Sequence, residues 1–183
     1  QDGNIIEVTY PNGLTKEMKY DERRNLLEER YVLKDGSTRV TKYTYGEHNE
    51  LLSKTLPNGD RYTYSYNDNY QLISSTTPSG YKTTYEYQRG RVTKVTYPKG
   101  NYIVYRYDKA GRLISKTAYP LNATTTYVYD DADRVISITD PMGNIEYYTY
   151  DMRGNKTSKT DAKGNVTYYR YDGNGNLIKV IYP

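Results

Sequence analysis

Tyrosine recurs along this chain with a period that no ordinary globular core requires. With the tyrosine that opens most Tyr-Asp pairs as anchor, anchors fall at Tyr20, Tyr45, Tyr66, Tyr87, Tyr107, Tyr129, Tyr150 and Tyr171. Their spacings are 25, 21, 21, 20, 22, 21 and 21 residues. A fixed period of this length marks a tandem-repeat architecture, in which each unit buries surface only against its neighbours. Other positions keep step. Seven residues before the anchor stand Gly13, Gly59, Gly80, Gly100, Gly143 and Gly164, with Asn122 in the sixth repeat. Two residues before it stand Tyr43, Tyr64, Tyr85, Tyr105, Tyr127, Tyr148 and Tyr169, a series broken by Met18. Six residues after it come Leu26, Leu51, Leu72, Leu113, Val135 and Leu177. The fourth repeat has a turn one residue shorter, so Val92 fills this place; the seventh has Lys156 and is expected to pack worst. The long first gap implies a four-residue insertion around Tyr31 to Ser37.

The stretch from Gly100 to Pro120 shows what one period encodes. Asn101 to Tyr107 is rich in Tyr, Ile and Val and free of Pro and Gly, which predicts a strand. Asp108-Lys109-Ala110-Gly111 predicts a turn, because Asp bonds its own backbone two residues on and Gly accepts positive φ. Arg112 to Tyr119 is the return strand, and Pro120, lacking an N–H, ends the pairing. Each repeat is thus one β-hairpin. Side chains alternate along a strand, so Tyr105 and Tyr107 share a face and Arg106 takes the other. The arginine position holds Lys19, Thr44, Ser65, Glu86, Arg106, Val128, Thr149 and Arg170, a mostly wet face. The tyrosines form two ladders: Tyr43 and Tyr45, Tyr64 and Tyr66, Tyr85 and Tyr87, Tyr105 and Tyr107, Tyr127 and Tyr129, Tyr148 and Tyr150, Tyr169 and Tyr171. The expected fold class is all-β: tandem hairpins of about 21 residues forming one long curved or spiralling antiparallel sheet, with no helix.

Composition agrees with a thin wall. All 26 aromatic residues are tyrosine, apolar residues make up 36% of the 183, and mean hydropathy is −0.97. That is too little oil for a thick core, while the regular tyrosines argue against disorder. The net charge of +4 is spread over interspersed charges, without the basic run of a nucleic-acid footprint. No stretch reaches the apolar length of a membrane-spanning helix. Cysteine is absent. The chain opens at Gln1 without a signal peptide, as a mature or trimmed product does. Gly3 to Pro11 (G-N-I-I-E-V-T-Y-P) and Gly175 to Pro183 (G-N-L-I-K-V-I-Y-P) share a phase of the repeat, and neither end carries an atypical cap. Residues 1–183 therefore read as a single array of about eight repeats, a piece of a longer one or a unit that stacks with copies of itself.

Catalytic chemistry finds little footing. The one histidine, His48, sits in a Gly46-Glu47-His48-Asn49 turn rather than beside an orienting acid. A zinc site lacks ligands. Asp21, Asp108, Asp130, Asp151 and Asp172 recur at one turn position, where capping accounts for them better than a carboxylate pair around a scissile bond. Asp172-Gly173-Asn174-Gly175-Asn176 starts like a calcium loop, but Leu177 and Pro183 replace the required Gly and Glu. Asp130-Asp131-Ala132-Asp133 is at most a weak cation site. No catalytic, cofactor-binding or metal residue is assigned, and no cofactor is expected. Asn122, Asn155 and Asn165 each open an Asn-x-Thr sequon, a possible glycosylation acceptor in a secreted protein. A flat tyrosine surface also suits stacking against sugar rings, although the ladder's regularity fits a folding role better.

The pattern G-x-x-x-x-Y-x-Y-D-x-x-G-R-L, as in Tyr105 to Leu113 (Y-R-Y-D-K-A-G-R-L), Tyr148 to Asn155 (Y-T-Y-D-M-R-G-N) and Tyr169 to Leu177 (Y-R-Y-D-G-N-G-N-L), resembles the RHS or YD-repeat proteins. These include bacterial wall-associated and polymorphic toxins, the C component of Tc toxin complexes, and animal teneurins. The resemblance spans essentially the whole chain. It implies a β-ribbon spiralling into a hollow shell, which in the toxins encloses a C-terminal toxic domain and in teneurins serves adhesion. The chain departs from complete members in showing no toxin segment, plug or self-cleaving aspartyl region. Asp140-Pro141-Met142-Gly143 is similar to the D-P-x-G of the segment that closes the family's core, but here it fills an ordinary Pro-x-Gly turn. Three functions stay open: a non-catalytic shell or stalk segment of a secreted or cell-surface protein, an adhesion or carbohydrate-binding surface, and a self-assembling filament subunit. The expected partners are further YD repeats through sheet edges, an enclosed toxin domain, or surface glycans, with neither nucleic acid nor a membrane span.

Overall fold

The computed structural model describes residues 6–183; Gly3, Asn4 and Ile5 of the opening segment lie outside the described residues. Among the described residues there is no helix, and seventeen strands follow one another through short turns. They fall into two compact units, residues 1–86 with 96–99 and residues 87–95 with 100–183. The first holds β1 (Glu7–Thr9), β2 (Thr15–Tyr20), β3 (Leu26–Val32), β4 (Thr38–Tyr45), β5 (Leu51–Thr55), β6 (Arg61–Tyr66), β7 (Leu72–Thr76) and most of β8 (Lys82–Gln88). Each of these strands pairs antiparallel with the next. The second holds most of β9 (Arg91–Thr96), then β10 (Tyr102–Tyr107), β11 (Leu113–Tyr119), β12 (Ala123–Tyr129), β13 (Val135–Thr139), β14 (Ile145–Tyr150), β15 (Lys156–Thr160), β16 (Val166–Tyr171) and β17 (Leu177–Ile181), paired in the same way. The all-β, tandem-hairpin architecture is the one the period demands. The four extra residues of the first gap lengthen β3 and β4, and the chain turns over residues 33–37.

One turn geometry serves most connections. Asp108 N–H donates to the Arg112 carbonyl at 3.0 Å and Gly111 N–H to the Asp108 carbonyl at 3.0 Å; the same two bonds recur at the Tyr10, Leu33, Leu56, Asp140 and Asp161 turns on the opposite ends of the hairpins. The fourth residue of each turn needs a left-handed backbone, which glycine adopts at no steric cost. Gly111 does so at φ 89°, whereas Arg24, Asn49, Tyr70 and Asp133 take the same conformation with a side chain, at φ 57–68°.

The register adds a feature that strand periodicity does not spell out. Tyr45 pairs with Leu51 but Thr44 pairs with Ser53, so Leu52 is an extra residue in a β-bulge. The same shift accompanies the anchors Tyr20, Tyr66, Tyr107, Tyr129, Tyr150 and Tyr171.

The two faces differ as alternation predicts. All eight residues of the Lys19–Arg170 series are exposed, and the anchors and their partner tyrosines are half-buried. Cover is thin: among the described residues Val95, at 9% exposure, is the one apolar side chain that counts as buried. The most protected residue is polar. Ser53, 2% exposed, is cross-strand partner to Thr44 and Thr63, and its hydroxyl lies 2.7 Å from that of Thr44. Thr149 and Ser158 repeat the hydroxyl pair at 2.6 Å.

Candidate functional site

The surface that can carry a function here is the row of hairpin tips together with the tyrosines beneath them, because that is where one repeat grips the next. The anchor hydroxyl supplies the first grip. Tyr45 donates to the Leu26 carbonyl (3.1 Å), Tyr66 to Leu51 (3.0 Å), Tyr107 to Val92 (2.9 Å), Tyr129 to Leu113 (2.8 Å) and Tyr150 to Val135 (2.8 Å). In four of the five the acceptor is the residue that faced the preceding anchor: Leu26, Leu51, Leu113 and Val135. A tyrosine therefore covers apolar surface with its ring and ties two hairpins with its tip, a combination phenylalanine cannot offer. Burial pushes the hydroxyls of Tyr45, Tyr66, Tyr129 and Tyr150 up from their ordinary value, keeping them protonated donors.

The tip aspartates are clamped locally. In each of Asp21–Asn25, Asp151–Asn155 and Asp172–Asn176, one carboxylate oxygen accepts the backbone N–H four residues on and the other accepts its side-chain amide, at 2.7–2.9 Å. Asp140–Asn144 and Asp161–Asn165 do the same on the opposite turns. Arginine replaces asparagine in Asp108–Arg112 and Asp130–Arg134. The side-chain donor, foremost, holds the carboxyls below the ordinary aspartate range; at Asp108 the Arg112 backbone N–H comes first.

Arginine adds a grip between tips. Arg112 reaches from its own Asp108 to the Asp133 carboxylate (2.8 Å) and the Asp130 carbonyl (3.3 Å), and its guanidinium lies 5.1 Å from the Tyr129 ring centroid. Arg134 bonds the Asp151 carbonyl (2.8 Å) and lies 4.9 Å from the Tyr150 ring. Arg153 donates to the Gly173 carbonyl and Arg23 to that of Glu47, while Asn25 donates to Asn49 (2.8 Å). The Asp-x-x-Gly-Arg spacing signals the local clamp, but the reach to the next tip needs the hairpin stacking itself.

Lysine covers two of the partner tyrosines. Lys54 lies 5.9 Å from the Tyr43 ring, and outside the ladders Lys94 lies 5.0 Å from Tyr102. Lys156, expected to be the poorest-packed position, instead sits 4.4 Å from the Tyr148 ring, because a long stem lets an ammonium cover an aromatic face. Tyr148 donates to Glu146 at 2.5 Å; burial first and this bond second push its hydroxyl up to about 12. Lys159 pairs with the same carboxylate at 2.7 Å.

The remaining sequence candidates are engaged locally. His48 has its Nε2 2.9 Å from the Tyr70 hydroxyl, with ring centroids 4.1 Å apart, and Glu50 accepts its backbone N–H. Among the described residues no group of three or more His, Asp or Glu side chains is placed to hold a metal. Of the sequon asparagines, Asn155 and Asn165 donate their amides to Asp151 and Asp161, whereas Asn122 is exposed in a turn at φ 52° that follows the cis Tyr119–Pro120 bond.

Repeats tied to their neighbours by recurring hydroxyl bonds define a structural shell repeat. A profile of the Teneurin YD-shell matches residues 1–150 and one of the RHS Repeat matches residues 150–183. The chain belongs to the teneurin YD-shell family. Its fold is similar to that of a chain in the crystal structure of TcdB2-TccC3-Cdc42 (TM-score 0.65, 18% identity) and of one in the Photorhabdus luminescens Tc holotoxin pore (TM-score 0.64, 18% identity). In both, the match covers 98% of this chain and 13% of the other, so the chain spans a small part of those proteins' length. A search of curated proteins finds no match.

Proposed function

We propose that the chain is a non-catalytic wall segment of a secreted or cell-surface protein, contributing hairpins to a shell that encloses a polypeptide cargo. The observation that carries this reading is the anchor-hydroxyl bond from one hairpin to the next, repeated at the same position in both units. Such bonds do nothing for a substrate; they keep successive hairpins in register, which is what a wall requires. Further YD repeats are the natural neighbours of such a wall, and a toxin domain, as in the Tc complexes, is the natural cargo. The test is protease protection in the complete protein. A cargo domain resists trypsin while the wall is intact and is cut when residues 1–183 are deleted; equal cleavage in both would end the proposal.

A second reading, a carbohydrate-binding surface, is favoured by one observation. Tyr147 and Tyr168, 51% and 52% exposed, are cross-strand partners of Ser137 and Ser158 and so lie on the wet face, outside the two ladders. Their open rings are suited to stacking on sugars. A glycan array that lights up with the parent chain and goes dark with Tyr147→Ser plus Tyr168→Ser supports it; an array blank for the parent removes it. Where the protein passes a glycosylating compartment, Asn122 is the acceptor of choice, since its amide is not committed to an aspartate.

A further inference from the structure

Between successive hairpin tips the surface forms shallow grooves built from equivalent positions, yet their charges differ. In the groove around Asp151 and Asp172 the charges balance: the two aspartates, both clamped by asparagine, offset Arg170 and Arg153, the latter bonded to the Gly173 carbonyl. Arg112 and Arg134 are likewise committed to neighbouring tips. The groove between Gln88 and Ile114, about 460 Å³, is different. Arg89, Arg91, Arg106 and Lys109 line it, all four exposed. The one carboxylate in its lining, Asp108, already accepts the Arg112 backbone N–H and Nε at 2.9 and 2.7 Å. The ion pair of Asp108 is with Arg112, which is not one of the four cations. Arg91 lies instead over the Tyr107 ring, 5.9 Å from its centroid.

Four like charges gathered on one groove repel. Three of the four are arginines, whose forked donors match carboxylates in pairs. The groove also has an apolar wall: Ile114, the bulge residue of its hairpin, remains 37% exposed beside the cations. Sulfated sugars and nucleic acids answer the charge but not the apolar wall. A peptide that intersperses Glu or Asp with an aliphatic side chain answers both. We propose that the groove lined by Arg89, Arg91, Arg106, Lys109 and Ile114 docks an acidic peptide segment of a partner protein. Its attraction is electrostatic at an exposed site, so binding weakens as salt shortens the screening length.

The test uses the whole chain and a fluorescent peptide alternating Glu with Leu, read by anisotropy. Arg89→Asn with Lys109→Ser is expected to weaken binding about tenfold, a loss of about 1.4 kcal/mol; asparagine tolerates the positive φ of 51° at that position. Lys163→Ser with Lys179→Ser removes the same charge from outside the groove and is expected to leave affinity within about twofold. Ile114→Ser is expected to weaken the Glu-Leu peptide but not a Glu-Ser peptide. Circular dichroism confirms that each variant keeps its sheet, and a variant that loses it is replaced by Lys109→Ser alone. Equal weakening by both double variants would show attraction to net charge only and overturn the proposal. So would equal binding of dextran sulfate or single-stranded DNA, or no binding of either peptide at low salt.

Discussion

At the scale of single residues, the tyrosine hydroxyl matters as much as the ring. Tyr129→Phe keeps the ring and deletes the 2.8 Å bond to the Leu113 carbonyl. The expected loss is about 1 kcal/mol, or roughly 2–4 °C in melting temperature for a chain of this size, measured by thermal denaturation. A change within error would mean that water replaces the hydroxyl without cost. Tyr148 offers a second check, because its hydroxyl is held up near 12 by burial and by Glu146. A folded-state value above the unfolded one means stability is complete below about pH 10 and is lost as pH rises toward about 12. Ultraviolet titration should show Tyr148 among the tyrosines that ionise late, and Glu146→Gln should bring it earlier.

The element scale shows what the sequence can and cannot spell. Hairpins, their tips and the exposed series from Lys19 to Arg170 follow from local rules: alternation fixes the face, and glycine after Asp-x-x fixes the turn. The bulge at seven of the anchors does not follow, because Leu51-Leu52-Ser53 reads equally well as regular strand; only the pairing of Thr44 with Ser53 reveals the extra residue. The reach of Arg112 to Asp133 is hidden for the same reason, since the partners meet only when hairpins are side by side. Lys156 misleads because charge suggests solvent, whereas the structure uses its stem and ammonium to cover Tyr148. The tip clamps also set an acid limit. Their aspartates titrate below the ordinary value, so the stability they add is present above about pH 4 and drains away as pH falls through the lowered values. A melting series from pH 6 to pH 2 should show this decline, and Asp151→Asn, Asp172→Asn and Asp21→Asn together should flatten it. An unchanged slope would assign the acid limit to other groups.

At the scale of the molecule, the described strands of each unit contact their sequence neighbours, which makes stability a sum of repeat and interface contributions. Excising residues 130–150 removes one full period and joins Tyr129 to Asp151, anchor to tip, in phase. The shortened chain is expected to fold with the same circular dichroism signature and a lower melting temperature. A collapse of the sheet would show that order propagates over longer distances than neighbouring repeats.

The scarcity of buried apolar side chains leaves a thermal signature. Heat capacity rises on unfolding mainly because oily surface meets water, and a wall in which Val95 is the one buried aliphatic among the described residues has little such surface to release. Calorimetry should therefore give an increment per residue well under the usual ~12–15 cal/mol/K. A small increment flattens the curve of stability against temperature, so this protein should be nearly as secure in the cold as in warmth. An ordinary increment would mean that the tyrosine rings act, thermodynamically, as a full hydrophobic core.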